Sequence, residues 1–244
     1  MRAGHEVNAK WPRRVKTADD AVRFIDAAGY CLLFPIKNVP LPSLYYAMAR
    51  RAPFTWDDYG AKLWEWKDNL PRQRRAFYSK YFRGRGTFIS IKLLPHFLAM
   101  ESTGLEAGDH GRMYAAGRIS ADGCAVWEAL DTHGPLATLE LRHACKMDSK
   151  AGNKRYKRAI LELSHALVVV HFGAEQETGA WASSRFELTA RAFPKETVAA
   201  RRLAPESARE AVARKYLAWH RDARAQILAR LFRWSKADAA AAMM

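Results

Sequence analysis

Trp64-Glu65-Trp66-Lys67-Asp68 sets two indoles beside three ionisable groups. Such a block could form an aromatic pocket for an unstacked base, with Asp68 or Glu65 as general base and Lys67 as phosphate clamp or amine nucleophile. A plainer reading of the same alternation is an amphipathic strand that buries its tryptophans and exposes Glu65 and Lys67. The sequence favours the strand, because neighbours along a chain need not converge in a cleft.

A second chemistry is the capture of phosphate. Lys154, Arg155, Lys157 and Arg158 open a segment in which Tyr156, Ile160, Leu163 and Leu167 stack on one side at helical spacing. One face then packs while the cations spread over the other. If all four met phosphates, the logarithmic salt slope of binding would be about −3.6, or about 150-fold weaker binding between 50 and 200 mM salt. A further strip, Arg72, Arg74, Arg75, Lys80, Arg83 and Arg85, contains no acid at all, whereas a solvated surface normally mixes signs. Arg83-Gly84-Arg85-Gly86 lacks the GK[ST] of a P-loop, so it reads either as a loop whose backbone N–H groups approach phosphate or as a plain basic turn.

Other chemistries find little support. His165 and His171 straddle a helix-to-strand junction with no acid spaced to complete a metal site, and both read as structural or surface histidines. No GxSxG nucleophile motif occurs, and Cys31, Cys124 and Cys145 form neither a CxxC nor a disulfide framework. Neither a metal nor a cofactor is expected. The net charge of +15 suits nucleic acid. Apolar runs such as Ala166 to Val170 are too short to span a bilayer, and the N-terminus lacks a signal-peptide core. A cytoplasmic protein is therefore expected, and association with a bacterial nucleoid would fit.

The elements that would position these residues follow from caps and periodicity. Residues 1–16 read as a basic flexible lead-in, with order beginning at Thr17, which caps a helix ending at Gly29. Tyr30 to Ile36 is a short apolar run, and Ser43 caps the next helix. Phe88, Ile91, Leu94, Phe97 and Leu98 form a helix-period stripe with Pro95 in its first turns or at a kink. The glycine-bearing stretch 102–118 reads as a linker. Ser120 caps a helix stopped by His133-Gly134-Pro135, Thr138 caps a second, and Gly152 and Asn153 end that second helix before the basic one begins. Val168 to Phe172 and Arg185 to Arg191 then form a hairpin around the loop Gly173 to Ala180. Three helices and a hairpin make a winged helix. Beyond a Pro-interrupted joint, Ser207 caps a long cationic helix running toward Leu231, followed by an Ala-rich tail with no burying stripe.

The expected fold is thus α-rich α+β: tandem winged helix-turn-helix modules with short β-hairpins and a C-terminal helical segment. Its parts are an N-terminal α+β module at 17–101, a linker at 102–118, a central winged helix at 119–194 and a helical module at 195–244.

The blocks GYCLLFPI, LWEWKDNLP, FYSKYFRGRGTFISIKLLPHFLAM and GPLATLELRHACKM resemble winged-helix proteins related to the bacterial crosslink-repair DNA glycosylases of the AlkZ/YcaQ type, from about Thr17 to Phe193. The WEWKD block is most similar to a smaller AlkZ-related subgroup. In the glycosylases a Gln-x-Gln or Gln-x-Asp motif positions the attacking water. The matching stretch here, Gly29 to Ile36, places Leu32 and Phe34 at those positions, and neither carries a polar group. The resemblance implies DNA binding without inherited catalysis, and no catalytic residue carries over. The expectation is a DNA-binding protein, leaning away from an enzyme, acting on double-stranded or damaged DNA. The rivals are a DNA glycosylase rebuilt around Glu65, Lys67 and Asp68, and a protein-interaction module.

Overall fold

A computed structural model describes residues 11, 13–51, 54–101, 109–179 and 182–244. Packing starts ahead of Thr17. Trp11 meets Phe24 edge-on at 5.3 Å between ring centroids, and the buried Val15 donates its N–H to the Ala47 carbonyl at 3.1 Å.

Helix α1 (Ala18–Ala28) is capped by Thr17 as expected, and it ends at Gly29, whose φ of 81° favours glycine. Strand β1 is confined to Tyr30–Leu32, and Ser43 caps α2 (Leu44–Ala49). Helix α3 (Asp58–Arg72) overturns the strand reading of the tryptophan block. The Asp57 carboxylate accepts the Gly60 N–H at 2.9 Å, and Leu63, Trp66, Lys67 and Leu70 are buried at helical spacing while Trp64 and Glu65 stay exposed. A four-residue alternation cannot outweigh a capped stripe of four turns.

Strands β2 (Phe77–Phe82) and β3 (Arg85–Ile89) form a hairpin in which Phe82 pairs with Arg85. Arg83 and Gly84 are left as a two-residue turn with φ of 49° and 69°, the conformation of a type I′ hairpin turn. The stripe expected as one helix from Phe88 onward is divided, with Phe88 in β3, Ile91 in the turn that follows, and Leu94, Phe97 and Leu98 in α4 (Leu94–Glu101), where Pro95 occupies the first turn.

Within the expected linker, residues 102–108 lie outside the described residues and His110–Ala115 forms α5. Ser120 caps α6 (Ala121–His133), accepting the Gly123 N–H at 3.1 Å. After β4 (Leu136–Ala137) comes α7 (Thr138–Ala144). Thr138 is its first residue rather than its cap, and the Glu140 carboxylate instead accepts the Ala137 N–H at 2.9 Å. Helix α8 (Lys150–His165) begins earlier than expected, because Ser149 caps it and Gly152 and Asn153 lie in its first turn. A Cβ at Gly152 would stand 2.6 Å from the Met147 carbonyl carbon and oxygen. Glycine is there so that α8 can pack tightly against the turn before it, not to break a helix. Strands β5 (Val169–Glu175) and β6 (Ser183–Leu188) follow, and the alternation expected up to Arg191 gives way to α9 (Thr189–Ala192). In the connecting loop, Ala180, with residue 181, lies outside the described residues.

The two halves share one plan: helix, strand, helix, helix, hairpin, with the first strand joining the last. The sheets are antiparallel, ordered β1-β3-β2 and β4-β6-β5. One core lies under α1, α2 and α3 around Phe24, Tyr45, Leu63 and Phe88, and another under α6, α7 and α8 around Trp127, Tyr156, Leu163 and Val169. The halves meet reciprocally: α3 packs on β5, α8 packs on β2, and β2 touches β5.

The C-terminal part consists of α10 (Pro194–Ala200), α11 (Pro205–Trp219), α12 (Ala225–Phe232) and α13 (Lys236–Ala241). Pro205, at the first helical position, starts α11, so Ser207 is not its cap, and the backbone leaves helical geometry at His220 (φ −131°, ψ 75°), well short of Leu231. Pro needs no N–H partner there, which explains why it takes the start. The Ala-rich tail does have a buried side, as Ser235 caps α13 and Ala239 is fully buried. These helices close a third core with the first sheet, in which the Phe232 ring lies 5.6 Å from Tyr30 and 5.4 Å from Phe82. The chain is helix-rich α+β, and among the described residues no helix is long and apolar enough to cross a membrane.

Candidate functional site

Lys154, Arg155, Lys157 and Arg158 are all exposed on α8, because Tyr156, Ala159, Ile160 and Leu163 turn the other side into the core. The four are not equivalent. Arg155 grips Asp122 on α6, with Nε 3.1 Å from each carboxylate oxygen, and the hydrogen bond and charge hold that carboxyl below its ordinary range. Arg158 lines a cleft of about 860 Å³, which also takes Asp122, Glu162 and His165 and the C-terminal Arg233 and Trp234. Among the described residues Lys154, Lys157 and Arg158 make no ion pair.

The strip from Arg72 to Arg85 is not one surface. Arg75 pairs with Asp19, and Arg74 donates to the Ala192 carbonyl at 2.7 Å with its guanidinium 5.6 Å from the Phe172 ring centre. Arg72 is exposed where α3 ends, beside Gly173. Lys80, Arg83 and Arg85 ride on the β2–β3 hairpin, which leans on α8 closely enough that a Cβ at Gly84 would stand 3.2 Å from Leu161. There the two runs of cations meet. Burial of its stem and then the charge of Lys157 push the Lys80 ammonium below the usual lysine range.

The tryptophan block contributes differently. Asp68 Oδ1 accepts Lys67 Nζ at 2.7 Å and also meets His171 Nε2 on β5. The three side chains are 7%, 17% and 8% exposed for Lys67, Asp68 and His171, so the cluster is buried between the halves. Burial alone would raise the Asp68 carboxyl, but the hydrogen bond and charge of His171 and then those of Lys67 leave it below its ordinary value. Burial pushes Lys67 and His171 down, only partly offset by Asp68. His171 Nε2 and Lys67 Nζ thus share one carboxylate oxygen of Asp68. The ring packs between Tyr78 and Phe186, at 5.5 and 5.8 Å between centroids. Glu65 is not part of this cluster; it is exposed and accepts a hydrogen bond from Asn69 at 3.3 Å.

Sequence reasoning read His171 as structural or surface and could not foresee its pairing with Asp68, since no spacing signal links positions 103 residues apart. Leu32 is fully buried, and the Phe34 ring lies 4.1 Å from that of Phe54, so both positions where the resemblance would seek water-positioning groups are apolar packing.

Three comparisons bear on this geometry. The solved structure of the Streptomyces sahachiroi DNA glycosylase AlkZ matches with a TM-score of 0.56 at 17% sequence identity, covering 96% of this chain and 62% of that one. The chain therefore spans about three fifths of the length of that protein, and the likeness is one of fold. A search of curated proteins finds no match. A family model described as AlkZ related matches residues 15–233, nearly the whole chain, and the protein belongs to the AlkZ-related family.

Proposed function

We propose that the protein binds double-stranded or damaged DNA through two winged-helix modules, without catalysing base removal, in the cytoplasm and in the service of DNA repair. Helix α8 is the recognition helix of the second module, with β5 and β6 as its wing, and α3 with β2 and β3 repeats that plan in the first. The observation that carries the reading is the packing of the β2–β3 hairpin on α8, which brings the exposed Lys80, Arg83 and Arg85 to the helix that carries Lys154, Lys157 and Arg158. Cations without acidic partners attract phosphate in proportion to their number. The glycosylase named as a structural neighbour supports DNA as the partner, and the apolar Leu32 and Phe34 support a non-catalytic role.

A rebuilt glycosylase centred on Lys67 and Asp68 is the second reading, favoured by a buried lysine beside a carboxylate. Both groups are already committed to each other, and Asp68 to His171 as well, which fits a structural role better than a waiting base. A protein-interaction module is the third reading, and it would bind its partner with little dependence on salt.

Anisotropy titration of a labelled duplex from 50 to 200 mM salt tests the proposal. Wild type should bind with a steep salt slope, and a folded Lys154, Lys157, Arg158→Ala variant should flatten it by about 2.7, about 0.9 per lost phosphate contact. Absence of duplex binding would refute the reading. Release of a damaged base, abolished in Asp68→Asn, would establish the enzymatic one.

A further inference from the structure

Two indoles stand in solvent on the outer side of α3 and the loop before it. Trp56 is 57% exposed and Trp64 42% exposed, their rings 6.0 Å apart at 71°. They end a ladder of rings that begins inside the first core: Phe34 on Phe54, Phe54 on Trp56, and Trp56 on Trp64. Packing against this ladder holds the two exposed rings in place, so little freedom remains to be lost when a flat partner stacks on them.

Charge marks the kind of partner. Lys67 Nζ lies 4.2 Å from the Trp64 ring centre. Helix α3 packs on β2 and β2 packs on α8, so the exposed Lys80 and Lys157 lie on the elements next to the one that carries Trp64. Asp68 is consumed by Lys67 and His171, and Glu65 is the acid that remains exposed on this turn of α3. A flat ring joined to a negative backbone fits that combination, whereas an apolar protein surface would have to strip water from the cations.

We infer that Trp64 and Trp56 form a stacking platform for an unpaired nucleobase, at a gap or other single-stranded point in a DNA whose duplex arm lies on the Lys80 and Lys157 surface. The inference rests on the duplex-binding reading above and adds to it a preference for interrupted DNA. Trp66, which the sequence alone would place in such a pocket, is 5% exposed and belongs to the core, and Trp56 takes its place.

The test uses two labelled probes of the same sequence, a continuous duplex and one with a central four-nucleotide single-stranded gap. Wild type should bind the gapped probe about tenfold more tightly, the worth of one stacked base, and the gapped probe should quench its tryptophan emission. Trp64→Ala, at an exposed position that leaves the fold intact by circular dichroism, should bring the two affinities together while continuous-duplex binding holds. Trp64→Phe should restore part of the difference. Equal wild-type affinities, or a preference that survives both Trp64→Ala and Trp56→Ala, would overturn the platform and leave duplex binding standing. Self-association lost in Trp64→Ala, without any gap preference, would assign the face to protein contacts and also overturn it. A gap preference that needs Trp64 but not the α8 cations would keep the platform and remove the duplex-binding reading.

Discussion

Asp68 on α3 and His171 on β5, 103 residues apart in the chain, share a hydrogen bond in the seam between the two halves of the molecule. The same carboxylate oxygen holds Lys67, so one acid keeps two basic groups satisfied where water scarcely reaches. Removing it should be costly. Asp68→Ala leaves an unpaired ammonium in the seam and is expected to lose about 3 kcal/mol, the lower part of the range for breaking a buried pair because Asp68 keeps some exposure. Thermal denaturation should register a fall of about 6–12 °C. The double variant Lys67→Met, Asp68→Leu should recover much of the loss, and a single variant as stable as wild type would show that the cluster holds nothing together.

The same cluster makes stability depend on pH. His171 has a folded pKa below its ordinary value, first because it is buried. The folded state therefore binds the proton less readily than the unfolded chain. Stability should be complete above about pH 6.5, where the unfolded imidazole is neutral, and should fall as the pH drops from there toward the folded pKa. His96 and His165 are also pushed down by burial and add to the slope. Melting temperatures from pH 7.5 to 5.5 should decline, and less steeply in His171→Gln, whose amide can still donate to Asp68. Superimposable curves for the two proteins would contradict this assignment.

Gly152 lies where a side chain has no room, 2.6 Å from the Met147 backbone. Gly152→Ala gains about 1 kcal/mol of helix propensity but must displace backbone, for a net loss of about 1–2 kcal/mol by chemical denaturation. Gly111, also helical, has nothing within 4 Å of an added Cβ. Gly111→Ala should therefore be neutral or stabilising by up to about 1 kcal/mol. Equal effects at the two positions would mean that the turn before α8 yields without cost.

The cations of α8 should separate in a salt titration. Lys157→Ala should lower the slope of duplex binding by about 1. Arg155→Ala should lower it less, because Arg155 already serves Asp122. Identical slopes for the two variants would imply that the Arg155–Asp122 pair opens when DNA binds.

Local signals carried much of the fold. Thr17, Ser43 and Ser120 cap the helices expected of them, and Gly29 ends α1. The apolar face of α8 is buried as its periodicity required, and its cations are exposed. Errors arose where a short pattern competed with a longer one. Four alternating residues at Trp64 imitated a strand inside a fifteen-residue helix. Gly152 imitated a helix stop because sequence cannot distinguish a glycine needed for φ from one needed for close approach.

The sequence by itself determined which faces of α8 and α1 are apolar, where their caps fall, and that Leu32 and Phe34 bring no polar group to the start of the first sheet. Those are properties of neighbours within one or two turns, and local chemistry dictates them. Only the tertiary structure decided that Asp68 would find His171, that the strand bearing Lys80 would pack on the helix bearing Lys157, and that Trp64 and Trp56 rather than Trp66 would face solvent. Each depends on how two helices and two hairpins dock across a seam, where the burial of whole faces sets the geometry and no residue records its partner.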